Sequence, residues 1–192
     1  MADLEAIAVD ARVCTRCTLA AGRTQVVFGT GDPKADLMFV GEGPGADEDL
    51  AGLPFVGRSG QLLDRLIAEE MGLSRADCYI ANTVKCRPPD NRNPRPEEME
   101  ACRPWLDAQL ASVGPRVVVT LGNVATRALL GRNDGITRLR GQAYPWGGRV
   151  LVPTYHPAAV LRGNTGAMAG MRADLVRAKL ALAAGTAERV AG

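Results

Sequence analysis

The chain has 192 residues, 46% hydrophobic and 23% charged, with 23 Lys and Arg against 21 Asp and Glu for a formal net charge of +2. That length and apolar share suffice for one buried core, so a single domain over 1–192 is expected, and the small charge excess excludes recognition of a partner by bulk charge alone. No run approaches the roughly 18 apolar residues of a membrane span, and Asp3 and Glu5 do not fit the basic start of a secretory signal, so the expected compartment is cytoplasmic.

Cys14 and Cys17 come first, two residues apart, and Cys86 and Cys102 follow much later with fifteen residues between them. Four apolar runs that end in turn or polar residues predict buried strands at 35–41, 78–82, 116–122 and 149–154. Helix-period stretches lie between or after them, at 60–71 with Leu62, Leu63, Leu66 and Ile67 on one face, at 96–113, at 123–130 and at 168–184. Pro96 followed by Glu97 and Glu98 suits a first helical turn, where proline loses no useful donor and carboxylates meet the positive dipole end. The segment 87–95, with prolines at 88, 89 and 94, is a loop. Strand-helix alternation of this kind predicts an α/β fold, a three-layer α/β/α sandwich around a four-stranded parallel sheet.

Five cysteines in a reducing compartment argue for metal ligation over disulfides. Cys78 lies inside a predicted strand and reads as a small core residue. The two pairs, Cys14/Cys17 and Cys86/Cys102, suggest a metal or iron-sulfur centre. Zinc stays open, although its usual signature repeats the two-residue spacing in both pairs. Lys85, Arg87, Arg92, Arg95 and Arg103 gather around the second pair, as a phosphate-binding surface or as a solvated loop.

Ligands of a parallel sheet bind at the carboxyl ends of its strands. Three such ends carry distinctive groups: Gly41-Glu42-Gly43-Pro44-Gly45, Asn82, and Tyr155-His156-Pro157. The glycine cluster lacks the G-x-G-x-x-G spacing of a nucleotide loop, and Pro44 removes an amide that a phosphate would use.

Seven blocks together resemble the family 4 uracil-DNA glycosylases: G-E-G-P-G-A-D-E-D, P-F-V-G-R-S-G, the strand ending A-N, V-K-C-R-P-P-x-N-R-N-P, E-x-x-A-C-R-P-W-L, L-G-N-x-A and H-P-A-A-V-L-R. The likeness runs from about Cys14 to about Arg177. It implies removal of uracil from DNA by hydrolysis of the N-glycosidic bond, and a 4Fe-4S cluster held by Cys14, Cys17, Cys86 and Cys102. With all four ligands protein thiolates, that cluster would be structural.

Uracil removal requires a flipped nucleotide, stacked and read along its Watson-Crick edge. The resemblance puts Gly41, Gly43, Phe55 and Asn82 at the substrate, with Phe55 as the stacking ring. Asn82 offers an acceptor and a donor that match uracil N3–H and O4, and cytosine reverses both groups. Two unmatched buried partners would give roughly 2–6 kcal/mol of discrimination. A strand-end asparagine is otherwise commonly a turn or cap residue. His156, the chain's one histidine, is the candidate donor to uracil O2, a bond that strengthens as negative charge leaves on the base. Glu42 is the candidate for positioning or deprotonating the attacking water, with Asp47 as competitor. Leu161 is the candidate wedge that fills the gap in the stack, unless that turn packs inward, and Arg162, Arg87 and Arg92 are the expected phosphate contacts.

Two alternatives stand beside this reading. Covalent uracil-DNA binders resemble the chain but carry a second histidine in a basic insertion, and none lies between Cys86 and Cys102. A non-catalytic iron-sulfur DNA-binding protein would leave Glu42, Asn82 and His156 no reason to converge. The expected partner is uracil-containing DNA, single- or double-stranded, and the expected state is a monomer.

Overall fold

The computed structural model describes residues 3–163 and 165–190, and side chains except those of 165 and 185–190. Six strands form one mixed sheet: β1 (Thr30–Gly31), β2 (Leu37–Gly41), β3 (Tyr79–Asn82), β4 (Val117–Leu121), β5 (Tyr144–Trp146) and β6 (Arg149–Thr154). Their spatial order is β1-β3-β2-β4-β6-β5. The inner four are mutually parallel and are the four strands expected from the sequence, while β1 and β5 pair antiparallel at the two edges. The expected four-stranded sheet is thus corrected to six. The edge strands have two and three residues, β5 with a proline in the middle, too short for an alternating pattern to emerge.

The helices are α1 (Leu4–Arg12), α2 (Ala46–Ala51), α3 (Arg58–Leu66), α4 (Pro96–Val113), α5 (Gly122–Leu130), α6 (Ile136–Leu139), α7 (Pro157–Leu161) and α8 (Thr165–Val190). The pattern over 60–71 divides into α3 and one π turn, Ile67–Met71, in which Ile67 and Met71 are buried.

Every residue of β2, β3 and β4 is buried, as a parallel sheet covered on both faces requires. One face carries Leu37, Phe39, Ile80, Val119 and Val152, packed with Leu63 and Leu66 of α3, Val160 of α7 and Met171 and Leu175 of α8. The other carries Met38, Val40, Ala81, Val118 and Leu151 against Leu106 and Leu110 of α4 and Ala125 and Leu129 of α5. This is the expected three-layer sandwich. Cys78 lies fully buried in the first of these cores, where burial foremost pushes its thiol up to about 12, so the small-apolar reading holds.

Parallel register aligns the strand ends. Gly41 pairs with Asn82, and Leu121 pairs with Thr154 two residues before His156. Side chains alternate along a strand, so Gly41, Asn82, Leu121 and Thr154 fall on the α3/α8 face at the carboxyl edge of the sheet.

Asp174 locks α8 onto that face. Its fully buried carboxylate accepts from Arg140 Nε at 2.8 Å, Arg140 Nη2 at 3.0 Å, the Gly141 amide at 3.0 Å and Arg177 Nη1 at 3.3 Å. Removing the guanidinium leaves a buried charge undercompensated. Arg140→Ala is therefore expected to lower stability by about 3 kcal/mol, read from the urea midpoint at unchanged slope; a shift below about 0.5 kcal/mol would refute the lock.

Candidate active site and cysteine centre

A cleft of about 690 Å³ opens over the strand ends, bordered by Glu42, Gly43, Asp47, Phe55, Asn82, Arg92, His156 and Arg162 among others. Residues that are distant in sequence therefore meet at one place. Gly41 does not itself border the cleft but lies behind Asn82 and Phe55: a Cβ there would collide with Asn82 Oδ1 and the Phe55 ring, so only glycine lets these two side chains stand together.

Asn82 is 1% exposed, and its Oδ1 is a buried acceptor with no hydrogen-bond partner. An orphaned buried acceptor costs about 1–3 kcal/mol, so Oδ1 at the cleft is an acceptor open to a donor that enters there. It is not the turn or cap residue that its place in the sequence also allowed.

The Phe55 ring centroid lies 5.7 Å from that of His156, with the planes tilted by 33°. Phe55 is held at φ 54°, the left-handed region that a bulky L residue occupies at a cost of about 1–3 kcal/mol. The surrounding turn is tied down by Glu48, whose carboxylate accepts from the amides of Gly45 at 3.1 Å and of Val56 and Gly57 at 3.0 Å each. An acidic run at a helix start, such as that containing Glu48 and Asp49, reads locally as dipole complementarity. Both are loop anchors instead, since buried Asp49 accepts from the Thr24 amide at 2.9 Å and from the Gln25 amide. Their position inside an acidic run concealed this.

His156 caps α7. Its Nδ1 accepts from the Ala158 amide at 3.2 Å, which leaves the proton of the neutral ring on Nε2. Burial, then the nearby Arg162 cation, lower its pKa to about 4 against an opposing pull from Glu48. At neutral pH it is an uncharged Nε2–H donor. Glu42, half-buried directly after Gly41, has its pKa raised by desolvation. Asp47 also borders the cleft but is exposed in the first turn of α2.

Leu161 is 39% exposed whereas Val160 is buried, so the α7 turn splits its two apolar residues between the core and the surface, and the inward-packing alternative applies to Val160. Arg162 is exposed on the cleft rim. The basic cluster behaves otherwise than expected. Lys85 is enclosed, donating from Nζ to the Asn82 carbonyl at 2.7 Å and to Gln109 Oε1, and burial lowers its pKa to about 8. Arg92 grips buried Glu98 through both terminal nitrogens at 2.8 and 2.7 Å, holding that carboxyl down at about 2. Arg103 binds Asp107 at 2.6 Å, and Arg87 binds Asn91 at 2.8 Å. These guanidiniums order the 87–95 loop and α4 first. Arg92 is nevertheless part of the cleft wall, and Arg87 is not.

Cys14, Cys17, Cys86 and Cys102 all line a second, small cavity between α1, the segment after β3, and α4. Three of the sulfurs already accept hydrogen bonds, from Trp105 Nε1 to Cys14 at 3.3 Å, from Arg23 Nη1 to Cys86 at 3.4 Å and from the Lys85 amide to Cys102 at 3.3 Å. Donors aimed at sulfur suit thiolates, and a four-thiolate set is the donor chemistry of iron-sulfur and zinc centres alike. Among the described residues, no group of three or more His, Cys, Asp or Glu side chains is arranged to hold one metal ion. Nor is any helix among them long and apolar enough to cross a membrane.

Residues 28–179 match the Uracil DNA glycosylase superfamily. The chain is 47% identical over 169 residues to the type-4 uracil-DNA glycosylase of Saccharolobus solfataricus, covering 84% of this chain and 78% of that one. It is 45% identical over 164 residues to the type-4 uracil-DNA glycosylase of Thermotoga maritima, covering 84% and 85%. The type-5 uracil-DNA glycosylase of Thermus thermophilus is more distant, at 37% over 159 residues, 72% and 70% of the two chains. The convergence of Asn82, Phe55 and His156 on one cleft and these matches over most of both chains lead to one assignment: the chain belongs to the type-4 uracil-DNA glycosylases of that superfamily.

Proposed function

We propose that the protein is a monofunctional glycosylase that hydrolyses the N-glycosidic bond of deoxyuridine in DNA, releasing uracil and leaving an abasic site. The observation that carries this is the unpartnered Oδ1 of buried Asn82 beside the Phe55 ring and the His156 Nε2–H donor. A flipped uracil stacks on Phe55 and presents N3–H to Oδ1, O4 to the Asn82 amide and O2 to His156. As the glycosidic bond lengthens, the base gains negative charge and the sugar positive charge. The His156 donation strengthens with that charge, and a neutral imidazole suffices because its role is to donate a hydrogen bond. Glu42, as carboxylate, orients a water toward the anomeric carbon and favours the sugar cation. Its burial distinguishes it from exposed Asp47. Leu161 fills the stack on the vacated side, and Arg162 meets a phosphate. DNA can be single- or double-stranded in this scheme, and the protein acts as a monomer.

Cys14, Cys17, Cys86 and Cys102 would hold a 4Fe-4S cluster. When bound, it supplies a covalent tie between the N-terminal segment, the chain leaving Asn82, and α4. The hydrogen bonds already directed at the sulfurs support that ligand set.

The direct test incubates the protein with a labelled single-uracil oligonucleotide. Alkali-dependent strand cleavage with no protein adduct on a denaturing gel is the expected result, and an adduct would favour a covalent binder. His156→Ala should lower single-turnover excision about 10²–10³-fold while oligonucleotide affinity, read by anisotropy, changes little. The pH profile follows from the two shifts. His156 stays neutral above about pH 4, so no histidine inflection appears near 6.5, and activity falls on acidification as Glu42 protonates above the ordinary carboxylate range. Asn82→Asp should raise the ratio of cytosine to uracil release as pH falls, because only the protonated carboxyl can donate to cytosine N3; no cytosine release at any pH would remove Asn82 as base reader. Cys102→Ser should abolish the broad visible absorbance of the cluster and lower stability, with bound iron measured in parallel; parental iron content and absorbance would exclude Cys102 as a ligand.

A further inference from the structure

We infer that Arg75 is a positioning residue for excision, acting from behind the cleft wall through the Phe55 ring. This rests on the stacking role proposed for Phe55.

Arg75 follows Ser74 in the short turn Arg75–Asp77 that precedes β3, and it is not among the residues that border the cleft. Its Nη1 donates to the Phe55 carbonyl at 2.9 Å and to Asp64 Oδ1 of α3 at 3.1 Å, and its Nη2 donates to the Pro54 carbonyl. One planar fork thus holds two consecutive carbonyls, a geometry that a lysine point charge cannot reproduce. The residue so held is Phe55, at φ 54°.

The same turn is restrained from its other side. Glu48 accepts from the amides that follow, Val56 and Gly57. Gly60 lies against the Phe55 carbonyl so closely that a Cβ would collide with it. Arg75 and Glu48 therefore grip opposite polar groups of one turn, carbonyls and amides, and together keep a backbone that Phe55 would not choose by itself. Relaxation of φ toward the ordinary region would swing the ring away from the space left by Gly41 and from the His156 ring that it now faces. Asp64, on a different element, orients the guanidinium and fixes the distance between α3 and the turn. An arginine outside the cleft lining thereby sets the plane on which the base is stacked.

The test is a double-mutant cycle in single-turnover excision on the full-length, cluster-loaded protein. Arg75→Gln and Arg75→Lys are each made in the parent and in a Phe55→Ala background, and inhibition by free uracil is measured for all forms. In the parent, Arg75→Gln is expected to slow excision roughly ten- to a hundredfold and to weaken uracil inhibition, with DNA affinity changed less than twofold. Arg75→Lys should lose less. In the Phe55→Ala background, Arg75→Gln should cost under twofold, because the ring it positions is gone. An equal loss in both backgrounds would overturn the inference and leave Arg75 a general stabiliser. A Phe55→Ala protein as active as the parent would overturn the stacking reading itself, and this inference with it. Arg75→Lys, which keeps charge and most of the packing, preserves the test should Arg75→Gln fail to fold.

Discussion

The parallel pairing of β2 with β3 sets Gly41 opposite Asn82, and the functional groups of the cleft are arranged around that pair. A parallel ladder brings strand ends from distant parts of the chain to one edge. There it leaves the Asn82 side chain enclosed among apolar strands with its oxygen unsatisfied. The missing Cβ of Gly41 leaves room for the Phe55 ring and the Asn82 carboxamide to stand together. The same register carries β6 up beside β4, so that His156 emerges next to the start of α5. A one-residue slip would turn Asn82 to the opposite face and separate it from Gly41 and Phe55.

Two carboxylates, half-buried Glu48 and buried Glu98, organise the loops around this edge. Glu48, in the first turn of α2, gathers the amides of Gly45, Val56 and Gly57 and so joins the glycine-rich loop to the Phe55 turn. Glu98, in the first turn of α4, accepts from the Arg95 amide at 2.7 Å, from Thr18 Oγ1 at 3.2 Å and from Arg92. Both sit where the positive helix end favours a carboxylate, and both extend that local preference into a long-range tie. The rigidity of the cleft wall thus arises from charge-assisted hydrogen bonds to backbone amides as much as from apolar packing.

The cysteine lobe and Asn82 are parts of one strap. After Asn82, Thr83 and Val84 donate their amides to the Gly41 and Glu42 carbonyls, and the Lys85 ammonium folds back onto the Asn82 carbonyl. Gln109 of α4 completes the acceptor set and is itself fixed through Nε2 to the Phe28 carbonyl and the Tyr79 hydroxyl. Cys86 follows at once. Whatever draws the four sulfurs together therefore also tensions the segment that holds Asn82.

Periodicity made the four inner strands and the helix over 96–113 legible, because burial on both faces leaves near-continuous apolar runs and Pro96 marks a helix start. The cysteine pairs stood out by their placement, Asn82 and His156 by their position after predicted strands, and the family resemblance added Gly41 and Phe55. The edge strands were illegible because two or three residues carry no period. Lys85 and Arg92 looked like surface cations, since nothing local reveals that Gln109 or Glu98 will be folded against them. Composition and local pattern alone determined the layer architecture and the kinds of chemistry available, for these follow from which residues must leave water and which can cap, turn or ligate. Only the tertiary structure decided which carboxylate is buried, which nitrogen of His156 keeps its proton, and which arginine stands behind Phe55. Each of those depends on contacts between segments far apart in sequence, and hence on register and packing.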